Sequence, residues 1–341
     1  MKRFKAALAV TGVALSLGAP GGLAAEKLRI SLDTNPSHVR NKTTELFVAE
    51  LKRLTGDKFE IEVYPSGQLF RDRDVPRALR QGSVEMAIPG TWQLDGLEPN
   101  MAISSLPAFY GLTEEFALKI MDGKVGEEIN RRAEAKLRVK ILGPWMNLGM
   151  QNFYSVSKPL QSHQDLAGMK MRYSGGSANA ERITFLGATP TLIPWPDVPL
   201  ALSSSAVDGI ASTHESVASA KLWESGLKFA FEDRQWFGQY VPMVSQTFWA
   251  KLSPDLRKAL VESWGAVIGQ GRQLAAQGQK DARVEMEKHG MKVVTATEET
   301  LRDVRQRMIA IQDKIVADMK IEPDLAKLAV DEIRSMNKAT Q

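Results

Sequence analysis

Few residues in this chain of 341 could perform catalysis, and they are scattered. The chain has no cysteine, which excludes a cysteine nucleophile, a disulfide framework and a cysteine-ligated zinc or iron–sulfur site. No nucleophile elbow of the G-x-S-x-G type and no P-loop occurs. No histidine has the spacing of a metal-binding pair; the four are His38, His163, His214 and His289. We therefore expect no catalytic residue, no metal site, no cofactor and no enzymatic activity.

Two glycine-containing segments resemble phosphate-binding loops, but neither has the complete pattern. Gly269–Gly271 begins like a dinucleotide fingerprint, yet Leu274 stands where the third glycine belongs, and the segment has a helical pattern. Gly175–Ser177 is compatible with an anion-binding nest, although such a run is more often a plain turn. An acid–base pair of carboxylates stays open, because nothing singles out two of the 40 acidic residues.

The side chain best suited to binding is an arginine in an apolar segment. Met169–Tyr173 is typical of a short buried strand in which Arg172 faces away from Met171 and Tyr173. A buried charge must be paired or face a polar cleft. Since a guanidinium matches a carboxylate with two parallel hydrogen bonds, Arg172 is either part of a structural ion pair or the residue that binds an acidic ligand.

Three of the seven tryptophans stand at the ends of predicted strands or apolar runs: Trp92, Trp145 and Trp195. Packing in the core is the usual role of such residues. The alternative is that their rings form apolar walls of a ligand pocket.

The elements that would position these residues alternate between strands and helices. Alternating apolar side chains predict strands over Leu28–Leu32 and Phe59–Val63, and a helix between them begins at Ser37 as N-cap and ends at Gly56. Strand–helix–strand units favour a parallel sheet in an α/β fold. Near the C-terminus, apolar residues over Leu301–Ile315 predict one long helix.

An internal repeat predicts two similar lobes. Asp74–Leu79 recurs as Asp197–Leu202, and the strand after each copy leads into a loop, at Pro89–Trp92 and at Ser212–Glu215. Ligands of open α/β sheets bind beyond the carboxyl ends of the strands. Two lobes that face each other across these loops would form a cleft with a hinge. The alternative is chance similarity between two amphipathic helices.

The first 25 residues have the order of a secretory signal peptide. Basic residues at positions 2, 3 and 5 precede an apolar run over Ala6–Leu17, and cleavage is expected after Ala24 or Ala25. The run is shorter than the roughly 20 residues of a membrane span, and the alternative is an anchor helix. Three basic residues and no acidic residue would be removed with this segment, which accounts for most of the charge of +4. That charge therefore gives no reason to expect a nucleic-acid partner. The mature protein is expected in the periplasm.

The chain resembles the DctP-type solute-binding proteins of TRAP (tripartite ATP-independent periplasmic) transporters from about Leu28 to Lys327. The matching segments, in family order, are Tyr64–Leu69, Gln81–Ala87, Asp165–Arg172, Leu186–Pro190 and Ala206–Gly209. The resemblance implies an α/β fold of two lobes, a periplasmic flytrap with crossing strands and a long helix that spans both lobes.

The resemblance also implies lobe boundaries. Lobe I would comprise residues 26–148 plus about 239–278, and lobe II residues 149–238 plus about 279–310. Residues 311–341 would form C-terminal helices that pack on both lobes. The monomer is the expected oligomeric state.

Site residues follow from the resemblance position by position. Arg172 corresponds to the arginine that binds the ligand carboxylate, and Trp195 to the pocket aromatic residue. Asp72 is the equivalent of Trp195 in the internal repeat, so each lobe would offer this position to the cleft. The remaining predicted pocket positions are Gly90, Thr91, Trp92, Trp145 and Asn147.

Two departures from the family pattern bear on the ligand. Gln151 stands where members that bind acidic sugars have a second arginine, and Ser212 replaces an asparagine, with His214 and Glu215 close behind. One carboxylate is therefore expected, on a hydroxy, keto or aromatic monocarboxylate. The ligand would be passed to the TRAP membrane permease subunits. The alternatives are an ABC-type binding protein and an enzyme that acts on small organic acids.

Overall fold

The first strand shows how the apolar pattern builds the fold. In the computed structural model, which describes residues 25–339, Leu28, Ile30 and Leu32 have no exposed surface. Burying each of these side chains contributes about 1.5–3 kcal/mol to folding. Residues 1–24 of the predicted signal peptide lie outside the described residues.

Strands and helices are interspersed in this part of the chain as far as the last strand, although neighbours such as α3 and α4 or β9 and β10 are of the same kind. The strands are β1 Glu26–Ser31, β2 Phe59–Tyr64, β3 Met86–Ala87, β4 Val139–Ile141, β5 Met146–Ser155, β6 Lys170–Tyr173, β7 Thr189–Leu192, β8 Gly209–Ser212, β9 Phe229–Tyr240, β10 Met243–Ser245 and β11 Lys292–Thr295. The helices are α1 Val39–Thr55, α2 Val75–Gln81, α3 Glu114–Met121, α4 Lys124–Leu137, α5 Ser177–Phe185, α6 Val198–Ser203, α7 His214–Ser219, α8 Gln246–Lys251, α9 Pro254–Lys288, α10 Glu298–Ile309, α11 Gln312–Asp318 and α12 Pro323–Ala339.

The strands form two sheets, each of which is the centre of one lobe. The first lobe has the strand order β2-β1-β3-β10-β4, and the second lobe has the order β11-β9-β5-β8-β6-β7. The predicted parallel pairing holds for β1 with β2 and β3, and for β6 with β7 and β8. Both sheets are nevertheless mixed, because β10 and β5 pair antiparallel with their neighbours.

Two long strands and one helix connect the lobes. β5 and β9 pair antiparallel from Met146 with Tyr240 to Ser155 with Phe229. The 35-residue helix α9 packs on α1 of the first lobe and on α7 of the second. The prediction of a two-lobed α/β fold with crossing strands and a long helix is confirmed.

Two local predictions were wrong. The N-cap of α1 is His38, whose Nδ1 accepts a hydrogen bond from the Arg40 amide at 3.0 Å, because Ser37 is held by the Asn35 side chain. The predicted C-terminal helix breaks after Ile309 into α10 and α11. After the break the Gln312 side chain accepts a hydrogen bond from the Ala108 amide, and α11 packs against α12.

The C-terminal helices lie mainly on the first lobe. α12 packs against α3 and α4, whereas Arg307 of α10 lies over the ring of Phe185 in the second lobe. Across residues 25–339, none of the helices combines the length and apolar character needed to cross a membrane.

Candidate ligand-binding site

A small cavity of about 30 Å³ lies between the lobes, and we call it the interlobe cavity. Each lobe and both crossing strands contribute to its lining, chiefly through Asp33, Asp72, Trp92, Gln151, Arg172, Trp195, Ser212 and Tyr240. A water molecule accounts for about 30 Å³ of liquid, and ligand pockets usually measure about 300–1,000 Å³. An organic acid is therefore too large for the interlobe cavity in this arrangement of the lobes.

Arg172 on β6 is almost completely buried at this cavity, with 1% of its surface exposed. Its Nε donates to the Ile193 carbonyl oxygen at 2.9 Å, and its guanidinium lies 5.3 Å from the centre of the Trp195 ring. Among the described residues no carboxylate pairs with it, and its Nη2 has no hydrogen-bond partner. Burial lowers the pKa of Arg172 to about 10, so the side chain stays charged at neutral pH. A buried, unpaired cation of this kind is suited to an anionic ligand.

A second buried arginine, which the sequence analysis missed, is neutralised by the protein itself. Arg40 of α1 forms ion pairs with Asp33 and, at 2.7 Å, with Asp72, and it lies over the Tyr240 ring. Burial raises the pKa of Asp72, the Arg40 charge opposes this rise, and the Asp33 charge adds to it. Within residues 25–339 no N–H or O–H donor bonds to the second carboxyl oxygen of Asp72, and a side-chain hydrogen bond with Asp33 is a further cause of the raised pKa of Asp72.

The predicted residues of the loop after β3 support one wall. Trp92 lines the cavity, and its ring centre lies 5.5 Å from that of Trp236 and 5.4 Å from that of Tyr240. A Cβ atom on Gly90 would come within 2.3 Å of the Trp92 ring, so only glycine permits this position of the ring. Thr91 is buried beside them but does not line the cavity. Gln151 and Ser212, in contrast, both line it.

Three predicted site residues lie away from the cavity. The Trp145 ring donates to the Asn130 side chain at 2.9 Å, and the Asn147 amide donates to the Glu114 carboxylate. Glu215 accepts a hydrogen bond at 2.7 Å from the backbone amide of Val39 in the first lobe. We therefore leave Trp145, Asn147 and Glu215 out of the proposed ligand-contact set.

The contacts at the cleft mouth hold the lobes in a closed arrangement. Arg71 forms an ion pair with Asp197 of the second lobe. The Gln93 side chain donates to the Ser174 carbonyl oxygen at 2.9 Å. Gly175–Ser177, the segment compatible with an anion-binding nest, binds a carboxylate of the protein itself. The Ser177 amide donates to the Asp95 carboxylate of the first lobe at 2.8 Å.

The buried histidines have different partners. His38 lines the interlobe cavity, His163 contacts Asp233, and His214 bonds to Glu232 at 2.8 Å. In the part of the chain that the structure describes, no group of three or more potential ligands could hold a metal ion.

The buried Glu215 carboxyl contributes stability that is lost as pH rises. Burial raises the pKa of Glu215 to about 7, against the lowering effects of the Val39 amide and the Lys42 charge. Between the unfolded value of about 4.3 and pH 7, the native state binds more protons than the unfolded state. The free energy of unfolding therefore falls as pH rises through this window. Its neighbour His38, 3.2 Å away, stays neutral because burial holds the pKa of His38 well below its usual value.

The Glu215→Gln variant keeps an acceptor for the Val39 amide but cannot titrate. In urea unfolding, its loss of stability between pH 5 and pH 8 should be smaller than that of the wild type by roughly 1–3 kcal/mol. Equal losses in the two proteins would show that the Glu215 carboxyl is not buried as described.

Comparison with known proteins agrees with this geometry. Residues 30–318 match the family described as bacterial extracellular solute-binding protein, family 7. The 2,3-diketo-L-gulonate-binding periplasmic protein of Escherichia coli strain K12 is 26% identical over 92% of this chain and 93% of its own. The C4-dicarboxylate-binding periplasmic protein of Rhodobacter capsulatus is 26% identical over 81% of this chain and 84% of its own.

A solved structure extends the likeness to the fold. The TRAP periplasmic solute-binding protein of Ralstonia eutropha H16, with bound (S)-2-acetolactate, is 26% identical and has a TM-score of 0.84. The similarity covers 91% of this chain and 99% of that one. With a family match over most of its length and a two-lobed fold around a buried cavity lined by Arg172, the chain belongs to the bacterial extracellular solute-binding proteins of family 7.

Proposed function

We propose that the protein binds a small organic monocarboxylate in the interlobe cavity and passes it to the membrane subunits of a TRAP transporter. The observation that carries this proposal is the buried Arg172 guanidinium, whose Nη2 has no partner among residues 25–339. A ligand carboxylate would supply the missing charge and hydrogen bonds. The predicted signal peptide and the family both favour a periplasmic location.

The charges around the cavity favour one carboxylate over two. A dicarboxylate such as the ligand named for the Rhodobacter capsulatus relative would require a second free cation. The other buried arginine of this region, Arg40, is already paired with Asp33 and Asp72. The neutral amide of Gln151 adds no charge, so Arg172 provides one site for one carboxylate.

The remaining groups favour a ligand that also carries hydroxyl or keto oxygens. The Asp72 carboxyl, whose pKa is raised, and the side chains of Gln151 and Ser212 can each bond to a ligand hydroxyl or keto oxygen. Both 2,3-diketo-L-gulonate and (S)-2-acetolactate, named for two of the similar proteins, are monocarboxylates that combine these groups. The rings of Trp92, Trp195 and Tyr240 would cover the apolar part of the ligand.

Capture would proceed by closure of the lobes. A ligand held by Arg172 of the second lobe and by Asp72 of the first favours a closed form in which both contacts are made, and that form must leave more room than about 30 Å³ between the lobes. Exclusion of water at closure strengthens the ion pair with Arg172. The contacts of Arg71 with Asp197 and of Gln93 with Ser174 would then close the mouth.

A thermal-shift screen of organic acids tests this function. A monocarboxylate with hydroxyl or keto groups, at 100 times its dissociation constant, should stabilise the protein by about 2.7 kcal/mol. Nuclear magnetic resonance should recover the acid unchanged after incubation, whereas conversion of the acid would show an enzyme. Stabilisation by dicarboxylates, metals or neutral sugars alone would contradict the proposal.

A further inference from the structure

A second and larger cavity, of about 690 Å³, lies on the other side of the crossing strands. We call it the hinge cavity; its lining includes Leu112, Met150, Gln235, Leu301, Arg302 and Arg305. On β5 and β9 the paired residues Gln151 and Trp236 share a face, and successive residues of a strand point to opposite faces. Met150 and Gln235 therefore lie on the face away from the interlobe cavity.

One buried amide of the hinge cavity lacks the hydrogen bonds that burial normally requires. Gln235 has 1% of its surface exposed, and among the described residues neither its amide nitrogen nor its amide oxygen has a partner. Leaving such groups unsatisfied costs about 1–3 kcal/mol each, so native proteins usually satisfy them with protein, water or ligand. The amide offers one donor and one acceptor side by side to an occupant.

The hinge cavity also holds uncompensated positive charge. Arg305 donates to the Ala108 carbonyl oxygen at 3.3 Å, but in residues 25–339 its Nε has no partner and no carboxylate pairs with it or with Arg302. Arg234 is paired with Glu298 at 3.5 Å, and Glu114 bonds to Asn147. The neutral Asn147 amide does not neutralise Glu114, so the three arginines and two glutamates of the lining leave a net charge of about +1 for an anion, with Arg302 exposed and Arg305 half-buried.

Apart from Gly111 and Thr113, the rest of the lining is apolar. Leu112 comes from the first lobe, Met150 from the crossing strand β5 and Leu301 from α10. The volume falls within the usual range of about 300–1,000 Å³ for small-molecule sites, which are mostly apolar with a few convergent polar groups. An occupant that matches this lining has an anionic end and an apolar body.

We propose that the hinge cavity is a second binding site, for a small organic anion with an apolar body. Its carboxylate binds Arg305 and Arg302, its apolar part packs on Met150 and Leu301, and the Gln235 amide completes the polar contacts. This site is independent of Arg172 and of the function proposed for the interlobe cavity.

The probe that tests the site is 4-bromobenzoate, which has a carboxylate, an apolar ring and an anomalous scatterer. The Arg172→Ala chain removes the cation of the interlobe cavity, so binding there is suppressed. Calorimetry should still show saturable binding to Arg172→Ala, and the added change Arg305→Gln should weaken it about tenfold or more. In crystals of Arg172→Ala, anomalous diffraction should place the bromine beside Met150 and Leu301.

Two further variants keep the test decisive. Arg334→Gln, at an exposed position of α12, is the matched control and should leave the affinity unchanged. Gln235→Leu, which removes the amide without touching a charge, should also weaken binding and serves if Arg305→Gln fails to fold. Absence of saturable binding to Arg172→Ala, or equal affinity in all these variants, would overturn the proposal, whatever the interlobe cavity binds.

Discussion

Replacing Arg172 by alanine should remove about 2–5 kcal/mol of ligand binding, which is roughly a 30-fold to 4,000-fold loss of affinity. Closure buries the ligand carboxylate, and no other cation of the interlobe cavity is free to pair with it, because Arg40 is bound to Asp33 and Asp72. The measurement is calorimetry with the acid that gives the largest shift in the thermal screen.

A conservative variant and a control sharpen this test. Arg172→Lys keeps the charge but loses the planar fork and the bond to the Ile193 carbonyl, so its affinity should lie between those of wild type and Arg172→Ala. Arg334→Ala on the exposed face of α12 should bind normally. Near wild-type affinity in Arg172→Ala would remove Arg172 from the ligand site.

Replacing Arg40 by methionine should destabilise the protein by about 3–5 kcal/mol. The change leaves two neighbouring carboxylates, Asp33 and Asp72, buried without their cation. It also removes the hydrogen bond to the Ile88 carbonyl oxygen. Urea unfolding at neutral pH measures the loss.

Two further variants test whether unpaired buried carboxylates cause the loss of stability in Arg40→Met. Adding Asp33→Asn and Asp72→Asn to Arg40→Met should restore much of the lost stability, because no buried charge remains unpaired. Arg53→Met, on the same helix but in an exposed pair with Glu50, should cost no more than about 1 kcal/mol. Equal losses in Arg40→Met and Arg53→Met would show that Arg40 does not hold the buried charges.

Local sequence patterns predicted several of the strands and helices correctly. The alternation in β1 and β2 and the repeat that contains α2 and α6 predicted helices and strands that the structure contains. Asp72 and Trp195, equivalent positions of that repeat, both line the interlobe cavity. The crossing strands were expected from the family resemblance alone, because pairing between residues so far apart leaves no short-range signal.

The position of Asn147 outside the lining of the interlobe cavity has a geometric cause. On β5, Leu148 and Gln151 both line the cavity although regular alternation would put them on opposite faces. Register shifts between Asn147 and Gly149 and between Gln151 and Phe153 interrupt the alternation. The sequence analysis assumes that successive side chains of a strand alternate between its two faces. It therefore does not show which side chain such a bulge turns to the other face.

Arg40 was missed for a different reason. Its neighbours along α1 give no sign that it is buried, and its partners Asp33 and Asp72 come from separate segments. Only the assembled lobe shows that one guanidinium lies between two carboxylates. Arg172 differs from Arg40, because within residues 25–339 it has no carboxylate partner.

The two strands and the helix that connect the lobes also affect how the protein unfolds. Because β5, β9 and α9 each contribute contacts to both halves of the molecule, neither half is one continuous stretch of chain. Melting one half would break the ends of elements on which the other half depends. The molecule should therefore unfold in one cooperative transition, and a proteolytic fragment that contains a single lobe should not be stable by itself.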